Sequence, residues 1–171
     1  MMLNPFDYFA LVCYLFALIF SWKDINARYL ILCILASSAV ALSTLEWAFS
    51  KPIGFYVWSM SMSLLFLLFV FLRRYVAYKL YRIKFFAEAY EKHTYTVQEA
   101  TLIAISLVCV VNNFVAFVEV YFYWIDWLDN AYYKLYVRDN LQKLMIILTS
   151  LVSLSFTIKS WKLSTAKFSK Q

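Results

Sequence analysis

Residues 53–72 form a run of 20 without a charge, and the 20 residues that follow carry Arg73, Arg74, Lys79, Arg82, Lys84 and Lys92. As an α-helix, the uncharged run would cover about 30 Å at ~1.5 Å per residue, the thickness of a bilayer's hydrocarbon core. The basic burst behind it supplies a direction, because short segments rich in Lys and Arg stay in the cytoplasm during insertion. Together these features predict a membrane-embedded chain whose middle segment faces the cell interior.

The rest of the chain agrees with that reading. Apolar residues make up 64% of the sequence, against roughly 45–50% in soluble domains. A single glycine, Gly54, and two prolines, Pro5 and Pro52, leave no flexible linker and no low-complexity stretch. The fold class expected is all-α: one transmembrane domain over 1–171, a bundle of about five helices. The spans are placed at 5–22, 29–47, 53–73, 97–122 and 142–161, and four spans are the competing count.

Local signals set these boundaries. Asn4, Pro5 and Asp7 suit a helix start, and the absence of a basic leader or small-residue cleavage site predicts that the first span is retained. Trp47 is placed as an interfacial anchor. Beyond the third span, Leu72, Val76, Leu80, Ile83, Ala87 and Tyr90 share a stripe roughly 80° wide at helical periodicity. That stripe predicts a continuous amphipathic extension of the third helix over 74–92. Thr96 and Glu99 have capping-box spacing, which opens the fourth helix. Residues 123–139, with Trp124, Trp127, Asp126 and Asp129, read as an aromatic outer segment.

Sorting charge by side tests the orientation. With five spans and the N-terminus outside, 12 of the 16 basic residues fall on the cytoplasmic side. The same count gives a net charge of +8 inside and −2 outside, and it puts the C-terminus in the cytoplasm. The location expected is a multi-pass cell membrane protein, as in a bacterial inner membrane.

Polar residues within the spans are the candidates for a site. Asn112 and Glu119 lie seven apart on the fourth helix and, with Asn113 and Ser106, occupy an arc of about 140°. Such a face points to protein or water, as a pore lining or as interhelical hydrogen bonding. Rows of small residues, Cys33, Ser37 and Ala41, Ser59 and Ser63, and Ser150, Ser153 and Thr157, favour close helix packing. Arg73, Arg74, Lys79, Arg82 and Lys84 are candidate contacts for anionic lipid headgroups or a cytoplasmic protein partner.

Motifs for catalysis are missing. His93 is the one histidine, so neither a His-Glu-x-x-His site nor a histidine triad within one subunit can be built. One glycine rules out a phosphate-binding glycine loop. Cys13, Cys33 and Cys109 sit in apolar runs without metal-ligand spacing, and are expected to be inert. No enzyme activity, cofactor, metal or direct nucleic-acid binding is expected. The function expected is a homo-oligomeric sensor or scaffold subunit that engages a cytoplasmic partner through its basic inner surface. The alternative is an ion-conducting pore or membrane-perturbing effector, of the kind used in anti-phage defence or phage lysis and exclusion.

Overall fold

The structure, a computed structural model, describes residues 5–168, with side chains described as far as 158 and at 160. Seven α-helices follow in order: α1 Pro5–Phe20, α2 Ile25–Phe49, α3 Gly54–Phe71, α4 Arg73–Lys79, α5 Lys84–Glu91, α6 Val97–Trp124 and α7 Asp139–Phe168. A π-helical stretch, Tyr133–Arg138, leads into α7. There is no strand among the described residues.

Four helical segments are long and apolar enough to cross a membrane: Ile25–Phe49, Gly54–Phe71, Val97–Trp124 and Tyr133–Ile158. The fifth expected span, α1, has 16 residues, about 24 Å at helical rise. The five long helices close a ring in the order α1, α2, α3, α6, α7, with α7 returning to pack along α1. Successive helices in this ring alternate direction, so α1 and α7 run parallel. A shallow pocket lined by Pro5, Phe6, Phe9 and Ile147 lies where these two helices begin. The outward faces expose large apolar side chains, among them Val12, Ile19, Leu64, Leu68, Val111 and Leu151. An apolar exterior on this scale is what lipid, rather than water, accommodates.

Small residues set the closest seam. Ser150 and Ser153 on α7 and Ala17 on α1 are fully buried, and Ala10, Cys13 and Tyr14 on α1 are buried. Each serine hydroxyl donates to its own helix, Ser150 to Ile146 O and Ser153 to Thr149 O, both at 2.8 Å. The donors are thus satisfied within the helix, Ser150 also meets the Tyr14 hydroxyl across the seam, and the small side chains let the backbones approach. On α2, Ser37 of the predicted row is buried in the same self-bonded way.

The segment after α3 departs from the expected continuous extension. The helix bends at Leu72 with its hydrogen bonds kept on both sides, Leu72 N to Leu68 O and Val76 N to Leu72 O. It then ends at Lys79, turns through 80–83 and returns as α5. The buried face is displaced by one residue from the predicted stripe: Arg73 and Ala77 are buried, whereas Leu72, Leu80 and Ile83 are exposed. Contacts to α2 explain the reversal. Phe85 stacks on Tyr29 with ring centres 6.1 Å apart, and Glu88 faces Arg28 at 3.8 Å. Ala77 and Ala89, both fully buried, let the two arms of the α4–α5 hairpin come close.

The aromatic segment also differs in extent. α6 continues to Trp124, and the chain reverses at Asp126, whose φ of 58° puts it in the left-handed region that short polar side chains tolerate. Helical backbone resumes at Tyr133, so the final span begins earlier than residue 142.

The α1–α7 seam yields a direct test. Ser150→Leu forces a branched side chain between two backbones and should lower stability by about 1–3 kcal/mol, whereas Ser150→Ala should cost well under half of that. Thermal unfolding of purified protein in detergent distinguishes the two.

Candidate functional site

Two polar clusters lie at opposite ends of the ring. The first, at the end of the ring where α7 begins, gathers the face predicted from α6. Glu119, half-buried, accepts hydrogen bonds from the backbone N–H groups of Tyr133 at 2.7 Å and Lys134 at 2.8 Å. The first N–H groups of a helical segment have no partner within it, and a carboxylate is a favourable acceptor there. Glu119 therefore anchors the start of the last helical stretch. The Tyr133 hydroxyl donates to Asn112 Oδ1 at 2.8 Å, and Asn112 Nδ2 donates to the Arg138 carbonyl at 3.3 Å. Arg138 donates from Nη2 to Asn113 Oδ1 at 3.0 Å and from Nη1 to Asp139 at 2.7 Å. Its guanidinium carbon also lies 5.1 Å from the Phe55 ring and 5.4 Å from the Tyr56 ring on α3. One arginine thus ties three helices together. Ser106 is half-buried deeper along α6 and takes no part in this network.

The second cluster draws on residues that sequence patterning did not bring together. Asn26 follows Asp24, whose carboxylate caps α2 by accepting from the Asn26 and Ala27 N–H groups. From that first turn, Asn26 Nδ2 donates to the Lys92 carbonyl at 3.0 Å and to Thr94 Oγ1 at 3.1 Å. Its Oδ1 accepts a short hydrogen bond from Arg73 Nη2. The Arg73 guanidinium lies 4.7 Å over the Tyr29 ring and faces Glu99, with Nη1 and Oε2 3.8 Å apart. Both charged side chains are 1% exposed.

Two expectations change here. Arg73 was grouped with the residues available to lipid or a partner, but it points into the protein. The adjacent Arg74 and the later Lys79, Arg82 and Lys84 remain exposed. The cationic groups of Arg74 and Lys79 lie over the rings of Tyr90 and Tyr75, at 5.7 and 4.9 Å. In the capping box Thr96 Oγ1 accepts from Glu99 N at 3.2 Å, and the Glu99 carboxylate, with the Thr96 backbone N–H nearby but not well aligned, turns inward to face Arg73.

The three cysteines are free and buried, on α1, α2 and α6. No family model matches the chain, and comparison with curated proteins and with solved structures finds no match.

The first cluster makes a prediction for Glu119. Glu119→Ala leaves two N–H groups without their acceptor and should cost about 1–3 kcal/mol, with amide exchange accelerating at Tyr133 and Lys134. Glu119→Gln keeps one acceptor and should fall between that variant and the native protein, as read by hydrogen–deuterium exchange in detergent.

Proposed function

We propose that this protein is a multi-pass membrane subunit that presents its α4–α5 hairpin in the cytoplasm as a docking platform for a protein partner. In this reading α1 is a short fifth crossing, the N-terminus lies outside and the C-terminus inside. The observation that carries it is the combination of a fixed root and free cations. Arg73 and the Arg28–Glu88 pair hold the hairpin against α2 and α6, while Arg74, Lys79, Arg82 and Lys84 stay exposed on it. A folded basic surface of this kind loses little order on docking, which favours recognition of an acidic surface. The same cations would hold the hairpin near anionic headgroups, each contributing roughly 1 kcal/mol. A ring of five helices has little interior of its own, and its broad apolar outer faces offer surface for homo-oligomer contacts.

The pore reading draws less support from the geometry. Asn112, Asn113 and Glu119 are committed to Arg138, to Tyr133 and to backbone groups of the last helical stretch. A lining role would require those groups to meet ions or water instead. The reading therefore rests on the hairpin.

A photocrosslinking residue at Lys84, in cells, tests it. The expected result is a protein adduct of discrete mass that disappears when Lys79 and Arg82 are changed to Glu. Adducts with lipid alone would contradict the docking role. In the same cells a thiol introduced at Asn130 should react with an impermeant reagent from outside, and one at Arg82 should not.

A further inference from the structure

The Glu99 carboxylate is the least well compensated charge among the described residues. Neither of its oxygens has a well-aligned hydrogen bond, the Thr96 backbone N–H being its one nearby donor, and its counter-charge on Arg73 stands at 3.8 Å. Arg73 has the neutral Asn26 Oδ1 as an acceptor and the Tyr29 ring beneath it, but Glu99 is the carboxylate paired with it, and its Nε and Nη1 are without an acceptor. Of the two, Glu99 can become neutral by binding a proton, whereas a guanidinium stays charged. Arg73 is also the first residue of α4, directly after the bend at Leu72, so the hairpin is connected to the ring through it.

We propose that Glu99 is a proton-binding site that controls the α4–α5 hairpin: deprotonated, it retains Arg73 and keeps the hairpin against the bundle, and protonated, it releases it. The inference rests on the docking reading only for its purpose. The proton site and the movement stand on the geometry of the pair. Proton uptake at Glu99 removes one negative charge from the interior and leaves Arg73 buried without a counter-ion. That state is relieved when α4 moves outward and Arg73 reaches water or a headgroup phosphate. The hairpin is therefore held at higher pH and freed as pH falls.

Other groups around the pair have to be separated from it. On α2 these are Asp24, Arg28, Tyr29 and Cys33. On α4 they are Arg73 and Arg74, on α5 Glu88, and in the linker Lys92 and His93; α3 contributes none. Glu88 is hydrogen-bonded by Lys92 at 2.8 Å, which holds its carboxyl below the usual carboxylate range. His93 is kept below the usual imidazole range by partial burial and by Arg73 and Arg74. Both therefore favour the form already present near neutral pH, and His93→Gln serves as the control for a histidine origin.

Hydrogen–deuterium exchange of 73–91 in lipid nanodiscs, corrected for the intrinsic pH dependence of exchange, reads the device. Acidification should raise exchange of the hairpin by roughly a hundredfold, the scale set by removing one partner of a buried ion pair. Glu99→Gln should show the fast exchange at every pH, with α6 and α7 still protected. The double variant Arg73→Gln with Glu99→Gln removes both charges, and should exchange slowly at every pH. His93→Gln should retain the native pH response. Equal hairpin exchange across pH in the native protein, or a pH response that survives in the double variant, overturns the proposal. Either result leaves the Lys84 crosslink, and with it the docking reading, to stand or fall separately.

Discussion

A buried arginine facing a buried glutamate, with an asparagine holding the arginine from the other side, is the constraint on which the α4–α5 end of this structure depends. Arg73, Glu99 and Asn26 come from α4, α6 and α2, and Asn26 also grips the linker at Lys92 and Thr94. Between helices in lipid the hydrophobic incentive for association is absent, so polar contacts and close packing must hold the bundle. Charged groups are costly to bury singly, and removing one member of a buried pair leaves the other uncompensated, which keeps the two elements that carry them in register. The pair brings the first residue of α4 against the first turn of α6.

The end where α7 begins solves a similar problem without a buried ion pair. There Arg138 remains half-buried, bonded to Asn113 and Asp139 and covered by Phe55 and Tyr56, while Glu119 closes the open N–H groups at the start of the last helical stretch. Between the two clusters the seam is built from alanine, serine and cysteine, whose hydroxyls bond to their own helices. The architecture is thus a closely packed middle with polar ties at both ends. At one end the α4–α5 hairpin hangs from the tie and carries the exposed cations.

Much of this was legible from residue pattern, and the missing part has a physical cause. Uncharged runs of helical length located the long helices, and Asn112, Asn113 and Glu119, placed by periodicity on one face of α6, all contact residues 133–138. Small-residue rows marked Ser37, Ser150 and Ser153 as buried. What pattern could not supply was the partner of each polar group. Arg73 and Arg74 are adjacent and chemically identical, yet one is buried and the other exposed, and partners on other helices, Glu99, Asn26 and Tyr29, distinguish them. Asn26 was passed over within a polar turn, and Arg138 within an aromatic segment. The capping-box spacing at Thr96 and Glu99 was a true local signal, but a long-range charge took the glutamate side chain. The stripe across 72–90 failed because helical periodicity carries through the turn at 80–83 without registering the reversal.

The central claim is that Arg73 and Glu99 are matched charges in the interior, each tolerated there only with the other, and exchanging their charges tests it most directly. Arg73→Glu and Glu99→Arg, made singly, place like charges together in the interior and should each lower stability by about 3–5 kcal/mol. The double exchange should recover a large part of that loss in thermal unfolding of the purified protein. Single variants as stable as the native chain, or a double variant no better than the worse single one, would contradict the account.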